Sequence, residues 1–296
     1  MMKNLARALR LPFLTASILP FIFGSLITSG SFNLLGFVWG LLAVVATHLS
    51  ANLINDYADS RTKADWQDKN FYKFFGGSKL IQQGIFREGF YLKAAISFAL
   101  LGVMAVIFLA LVKRSPMVVW LYILIIFLSW SYSHWPLRFS YHRLGEIFIF
   151  VLFGPVIVMG GYYIQSSVFP DLRSFLLSLP FGFLTTAILF SNEVPDYKSD
   201  KACAKFNWVS LVGPEGAYFV YFLLIGLGLL AILINVLLGY LKSWALISFL
   251  AILPAIKAGI ILKRFPADKN RLVESSKLTI AIHSLVSLII ILEAIL

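Results

Sequence analysis

The chain has 296 residues, of which 59% are hydrophobic and only 13% charged, with a mean hydropathy of +0.86. A water-soluble domain carries about 25% charged residues, so this composition excludes a soluble globule and puts most of the chain in lipid. The net charge of +11 does not mark a nucleic-acid binder, because the Lys and Arg residues sit in short links between apolar runs and form no soluble basic face.

A bilayer-spanning helix needs about 20 mostly apolar residues. Nine segments meet this, at 11–30, 34–56, 91–112, 117–134, 144–165, 174–193, 216–238, 243–262 and 278–296. The first follows Lys3, Arg7 and Arg10 but has no small-x-small cleavage site, so it reads as a membrane helix and not as a leader. Longer polar links are expected at 57–90 and 194–215, with another at 263–277. Nothing marks a second domain, so residues 1–296 read as one integral membrane domain. The single Cys203 can form no intramolecular disulfide, so no oxidising compartment is implied.

Nine spans put the N-terminal tail and the even-numbered links on one side. That side carries nineteen of the 25 Lys and Arg residues, and the other carries four. The positive-inside bias therefore turns the long polar links to the cytoplasm.

The acidic residues are few and clustered. The second span ends in His48-Leu-Ser-Ala-Asn52-Leu-Ile-Asn55-Asp56-Tyr-Ala-Asp59, with Asp65 and Asp68 beyond it. The sixth ends in Asn192-Glu193-Val-Pro-Asp196-Tyr-Lys-Ser-Asp200. Steps of three and four share a helical face, so His48, Asn52, Asn55 or Asp56, and Asp59 form one polar stripe. Asn192, Asp196 and Asp200 form a second if the helix continues through Pro195. Both clusters lie at the same end of the bundle. The shared Asn-x-x-x-Asp core hints at two halves related by an axis along the membrane normal.

Two facing clusters of carboxylate and amide oxygens require a cation. Magnesium suits them because it takes oxygen ligands, keeps waters and is readily shared with substrate phosphates. Lys63, Lys79, Lys198, Lys201 and Lys205 lie beside the clusters and can contact phosphate oxygens.

These residues resemble the UbiA superfamily of intramembrane prenyltransferases. The family's first signature, Asn-Asp-x-x-Asp with a further Asp downstream, reads here as Asn55-Asp56-Tyr57-Ala58-Asp59 followed by Asp65. Its second, Asp-x-x-x-Asp, reads as Asp196 to Asp200. A narrower likeness is to the 1,4-dihydroxy-2-naphthoate polyprenyltransferases of menaquinone biosynthesis. Gly76-Gly77-Ser78-Lys79, Tyr132 to Arg138, Leu144-Gly145-Glu146 and Gly161-Tyr162-Tyr163 carry it. Departures fall at Ala204-Lys205-Phe206-Asn207-Trp208, at His134-Trp135 and at His142-Arg143.

The resemblance implies an all-α, nine-helix bundle with a cytoplasm-facing central cavity in a bacterial or archaeal cytoplasmic membrane. It implies a Mg2+-dependent transfer of the prenyl group of a polyprenyl diphosphate to an aromatic acceptor. Asp56, Asp59, Asp196 and Asp200 would be the catalytic metal ligands. Asn52, Asn55, Asp65, Lys79, Arg138, Asn192, Lys198 and Lys205 would bind substrate. Lys79 is the preferred diphosphate contact, and Arg138 and Arg10 are candidates for the acceptor's carboxylate. Glu146 stands near the start of a span, where it can also cap the helix. Two alternatives stay open: another acceptor within the family (hydroxybenzoate, homogentisate, haem or a glycerol-phosphate lipid), or a cation-coupled transporter using its intramembrane carboxylates.

Overall fold

The computed structural model describes all 296 residues, and every regular element in it is helical. Seven helices are long and apolar enough to cross a membrane, and a bent pair makes an eighth. The bent pair consists of α1 (Met2–Ala8) and a segment ending in α2 (Thr15–Leu26), and it turns by 49°. The long helices are α3 (Leu34–Arg61), α4 (Glu88–Lys113), α6 (Gly145–Ser166), α7 (Leu172–Glu193), α9 (Val209–Leu237), α10 (Ser243–Arg264) and α11 (Lys269–Ile295). Between them lie α5 (Met117–Ser131), a ninth apolar helix of only 15 residues, and the six-residue α8 (Tyr197–Ala202).

Hydropathy marks the apolar middle of a helix but not its polar ends. The second expected span stops at residue 56, yet α3 runs to Arg61 and carries Asp59 on its last turn. The expected link at 263–277 is mostly helix. Asp268 accepts the backbone N–H groups of Asn270 and Arg271 at 3.0 and 3.2 Å and so starts α11 nine residues early. Asn33 and Asp171 cap α3 and α7 in the same way, through Gly36 N and Ser174 N. Pro155 sits inside α6, where one π-helical turn at Leu152–Val156 absorbs it. Gly213, at φ 73°, breaks α9 just before Pro214.

The most extensive helix pairing is α3 with α4, followed by α6 with α7, and α7 also packs along α9. Each acid-bearing helix thus packs along the next long helix in the chain, and α7 is held by α6 as well. The main core joins α2, α6, α7, α9 and α11 through Phe23, Val158, Phe181, Tyr221 and Ile282. Outward faces carry Leu100, Met104, Trp120 and Phe127, as lipid contact requires.

Close helix approach in a bilayer depends on small residues, since lipid tails are as apolar as the side chains themselves. Gly154 lies against Gly182, where an added Cβ would stand 2.8 Å from the Gly182 Cα. A Cβ on Gly161 would stand 2.7 Å from the Phe21 carbonyl oxygen of α2. The adjacent Gly160 has open space around its Cβ position. Gly161→Val should therefore lower stability by about 1–3 kcal/mol, read as a fall in the unfolding temperature in detergent. Gly160→Ala should leave that temperature unchanged or slightly raised.

Candidate active site

Burial of carboxylates at the end of a membrane bundle is unfavourable unless each finds a cation or an N–H donor. The end of α3, the loop after it and the segment after α7 supply these to one another. Asp56 is paired with Arg10 and also accepts the Ser78 N–H at 3.1 Å. Asp59 accepts the Tyr141 hydroxyl at 3.0 Å and the Lys205 ammonium at 3.1 Å.

The loop from 62 to 87 turns at Ala64–Trp66, which buries Asp65. Lys79 donates to the Asp65 carboxylate and to its backbone carbonyl, both at 2.9 Å. Gly76 and Gly77 have φ of 70° and 75°, and a Cβ on Gly77 would collide with the Asp65 carboxylate. The turn aims the Gly76 N–H at Asp196, at 2.8 Å. Arg7 holds the same turn from outside, donating to the Ser78 carbonyl at 2.6 Å. One short loop therefore touches both acidic clusters.

After α7 the chain breaks at Val194-Pro195-Asp196 and restarts as α8. The expected continuous stripe through Asn192, Asp196 and Asp200 is thus interrupted, for the reason Pro195 gives. The break does not scatter the residues, because all three line one cavity. Ala204, at φ 54°, then reverses the chain and brings Lys205 back. Its ammonium lies 3.1 Å from Asp59 and 3.8 Å from Asp200, one carboxylate from each cluster. Asn207 also donates to Asp200, at 3.2 Å.

Burial pushes the Asp65 carboxyl up to about 7 against the opposing pull of Lys79. Burial likewise raises Asp200 to about 8, with Lys205 opposing and Asp196 reinforcing the rise. Asp196 is raised by burial too. Burial alone would lower Lys205, but Asp200 and Asp59 outweigh it and hold the ammonium well above its ordinary value.

These groups form the polar end of a cavity of about 810 Å3. Asp59, Asp65, Asp196, Asp200, Lys79 and Lys205 line that end, with Asn52, Asn55 and Asn192 just inside. The remainder is mostly apolar, with Ser17, Thr47, His48 and Thr185 among its few polar side chains. Its α6 wall runs from Ile147 to Ile164, about 25 Å at the helical rise. No three Asp, Glu, His or Cys side chains stand close enough to hold a metal by themselves. The donors are all oxygen, few at any one point, and Asn192 Oδ1 is buried without a partner. Such a set fits magnesium that completes its shell with water and phosphate oxygens.

The sequence profile of the UbiA prenyltransferase family matches residues 17–282. The chain belongs to this family. It is 31% identical over 224 residues to UbiA prenyltransferase domain-containing protein 1 of Xenopus tropicalis, covering 74% of this chain and 62% of that protein. It is 24% identical over 262 residues to 1,4-dihydroxy-2-naphthoate octaprenyltransferase of Bacillus subtilis, covering 86% of this chain and 81% of the relative. A UbiA homolog from Aeropyrum pernix K1 superposes with a TM-score of 0.72 at 18% identity, covering 94% of this chain and 97% of the other. A homolog from Archaeoglobus fulgidus bound to GPP and Mg2+ gives 0.67 at 18% identity, covering 97% and 99%.

Within this UbiA fold most of the expected site residues come together, and three stand differently. Asp56 does not line the cavity, because Arg10 and the Ser78 N–H engage its carboxylate. Arg10 is thereby committed to Asp56, although it does reach the cavity wall. Lys198 is exposed on α8, and Arg138 lies over the Tyr141 ring at 5.8 Å, outside the cavity lining. Direct substrate contact by Lys198 is corrected accordingly, since it faces solvent, while Arg138 is half-buried behind Tyr141, with its Nε buried and unpartnered, and is not part of the cavity lining.

Sequence reasoning missed Tyr141 and Lys269. Tyr141 lies in a link with no acidic neighbour, and only the fold brings its hydroxyl to Asp59. Lys269 lines the cavity from the start of α11 and pairs with Asp68 at 2.9 Å. The Asp268 cap was the available signal. Gly77→Ala should displace the loop while the bundle stays folded. Hydrogen exchange followed by mass spectrometry should then show faster exchange at the Gly76 and Ser78 amides.

Proposed function

We propose that the chain transfers a prenyl group from a polyprenyl diphosphate to an aromatic acceptor, with 1,4-dihydroxy-2-naphthoate as the acceptor and Mg2+ as the cofactor, as in menaquinone biosynthesis. The observation that carries this is Lys205, whose ammonium reaches Asp59 and Asp200 from the two clusters at the mouth of a deep apolar cavity. The A. fulgidus homolog bound to GPP and Mg2+ and the B. subtilis relative support it. On this reading residues 1–296 act as one domain in the membrane, and the acidic end faces the cytoplasm, where the positive-inside bias puts it.

Asp59, Asp196 and Asp200 would hold magnesium, joined by Asp56 if its carboxylate leaves Arg10. Asn52, Asn55, Asn192 and Asp65 orient the ligands around them. Magnesium when bound supplies positive charge to the diphosphate oxygens as they take up the departing electron pair. Lys79 and Lys205 already stand among the carboxylates, so a metal–diphosphate complex meets cations and anions in alternation. The apolar wall keeps water from the allylic carbon while the aromatic ring attacks it. The length of the cavity suits an extended prenyl tail.

Purified protein given labelled farnesyl diphosphate, Mg2+ and a panel of acceptors should prenylate 1,4-dihydroxy-2-naphthoate, and EDTA should abolish product. Product with a hydroxybenzoate or a glycerol-phosphate lipid alone would replace the acceptor. Product with none would remove the proposal. Asp59→Asn and Asp200→Asn should each reduce kcat by about 10²-fold or more.

Protons and magnesium compete for the carboxylates. Asp65 and Asp200 are raised to about 7 and about 8, so both hold protons at lower pH and lose them as pH rises. Apparent Mg2+ affinity in the presence of diphosphate should accordingly rise between about pH 6 and pH 9, with protons released on binding. Titration calorimetry in two buffers of different ionisation heat reads both effects.

A further inference from the structure

The polar stripe of α3 does not end at Asn52. One turn deeper lies His48, 7% exposed, on the cavity wall and about 12 Å along the helix axis from Asp56. Its surroundings fix the ring. His48 Nδ1 lies 2.8 Å from Ser17 Oγ. The single Ser17 hydroxyl proton is already donated to the Leu14 carbonyl, at 3.1 Å. With that proton on the Leu14 carbonyl, Ser17 Oγ accepts and His48 Nδ1 carries the hydrogen. Phe153 packs edge to face against the imidazole, at 88° with ring centres 5.3 Å apart. In the neutral ring Nε2 is left with a free lone pair. It has no partner from the chain and opens on the cavity.

An unshared acceptor nitrogen on a largely apolar wall calls for a ligand that donates a hydrogen bond. A prenyl chain has no such donor, whereas a hydroxylated aromatic ring does. We propose that His48 is a catalytic residue that accepts the proton of the acceptor's ring hydroxyl through Nε2, in a subsite formed with Ser17 and Phe153. The inference rests on the prenyl transfer proposed above.

In the transfer step the allylic C–O bond breaks and its electron pair leaves on the diphosphate. A ring π pair forms the new C–C bond. The hydroxyl O–H pair becomes the second bond of a ring carbonyl, and the proton passes to His48 Nε2. For an acceptor carrying a carboxylate at the attacked carbon, carbon dioxide then leaves and its bonding pair restores the ring. The oxygen takes the proton back from His48. Each cycle returns His48 to the tautomer set by Ser17.

His48→Asn removes Nε2 but keeps a donor on the Ser17 side. With 1,4-dihydroxy-2-naphthoate it should lower kcat by about 10²-fold. The Kd for farnesyl thiolodiphosphate with Mg2+ should stay within about twofold, because no diphosphate contact changes. The two monomethyl ethers of the acceptor separate catalysis from packing. One of them should be slow with the wild-type protein and no slower with His48→Asn, since the lost proton and the lost nitrogen belong to the same step. Ser17→Ala frees the ring and should give a smaller kcat loss with the same ether pattern. Undiminished kcat in His48→Asn overturns the assignment. So does equal further slowing on both ethers, or a loss of diphosphate affinity, which marks a packing role. If the wild-type protein prenylates no acceptor, the transfer itself fails, and the role of His48 with it.

Discussion

The structure depends on a buried ammonium held between two carboxylates. Asp59 ends one membrane helix and Asp200 follows another, and a buried charge at either place is costly unless it is paired. Lys205 lies within 3.8 Å of both and so joins the two halves of the bundle electrostatically. The Gly76–Lys79 turn makes a second tie through backbone N–H groups to Asp196 and Asp56. These ties need a reversal at Ala204 and positive φ at Gly76 and Gly77. Irregular backbone of this kind is tolerated at the end of a bundle because it lines a polar cavity.

Opposite chemistry governs the rest of the cavity. Gly154, Gly161 and Gly24 allow the α2, α6 and α7 backbones to approach closely on one side. The π-helical turn around Pro155 lets α6 continue along the cavity without a break. The cavity is therefore polar at one end and apolar along its length, which is the profile of a diphosphate with a hydrocarbon tail. His48 is the one imidazole on that wall, among a few hydroxyl groups such as Ser17, Thr47 and Thr185.

Much of this was legible in the sequence. The apolar segments gave the helices, because hydrophobic length is what the bilayer requires. The residues Asn55-Asp56 to Asp59 and Asp196 to Asp200 were visible as rare carboxylates at helix ends, and Asp59, Asp196 and Asp200 do meet at one cavity. Pairing was not legible. Nothing local shows that Arg10 takes Asp56, that Lys205 reaches Asp59 146 residues away, or that Tyr141 donates to Asp59. Those contacts follow from helix packing and from left-handed turns at non-glycine residues, which propensity does not reveal. Lys198 was chosen for its place beside the second cluster and Arg138 from the family resemblance, and the fold turns Lys198 to solvent and leaves Arg138 behind Tyr141 instead of on the cavity wall.

The central claim is that both carboxylate clusters act on one diphosphate. A double-mutant cycle on Mg2+-dependent binding of farnesyl thiolodiphosphate, using Asp59→Asn, Asp200→Asn and the pair, tests it most directly. Shared binding predicts strong coupling, with the double variant hardly weaker than either single one and an interaction energy above about 1 kcal/mol. Losses that add to within about 0.5 kcal/mol would mean that the two clusters serve separate ligands.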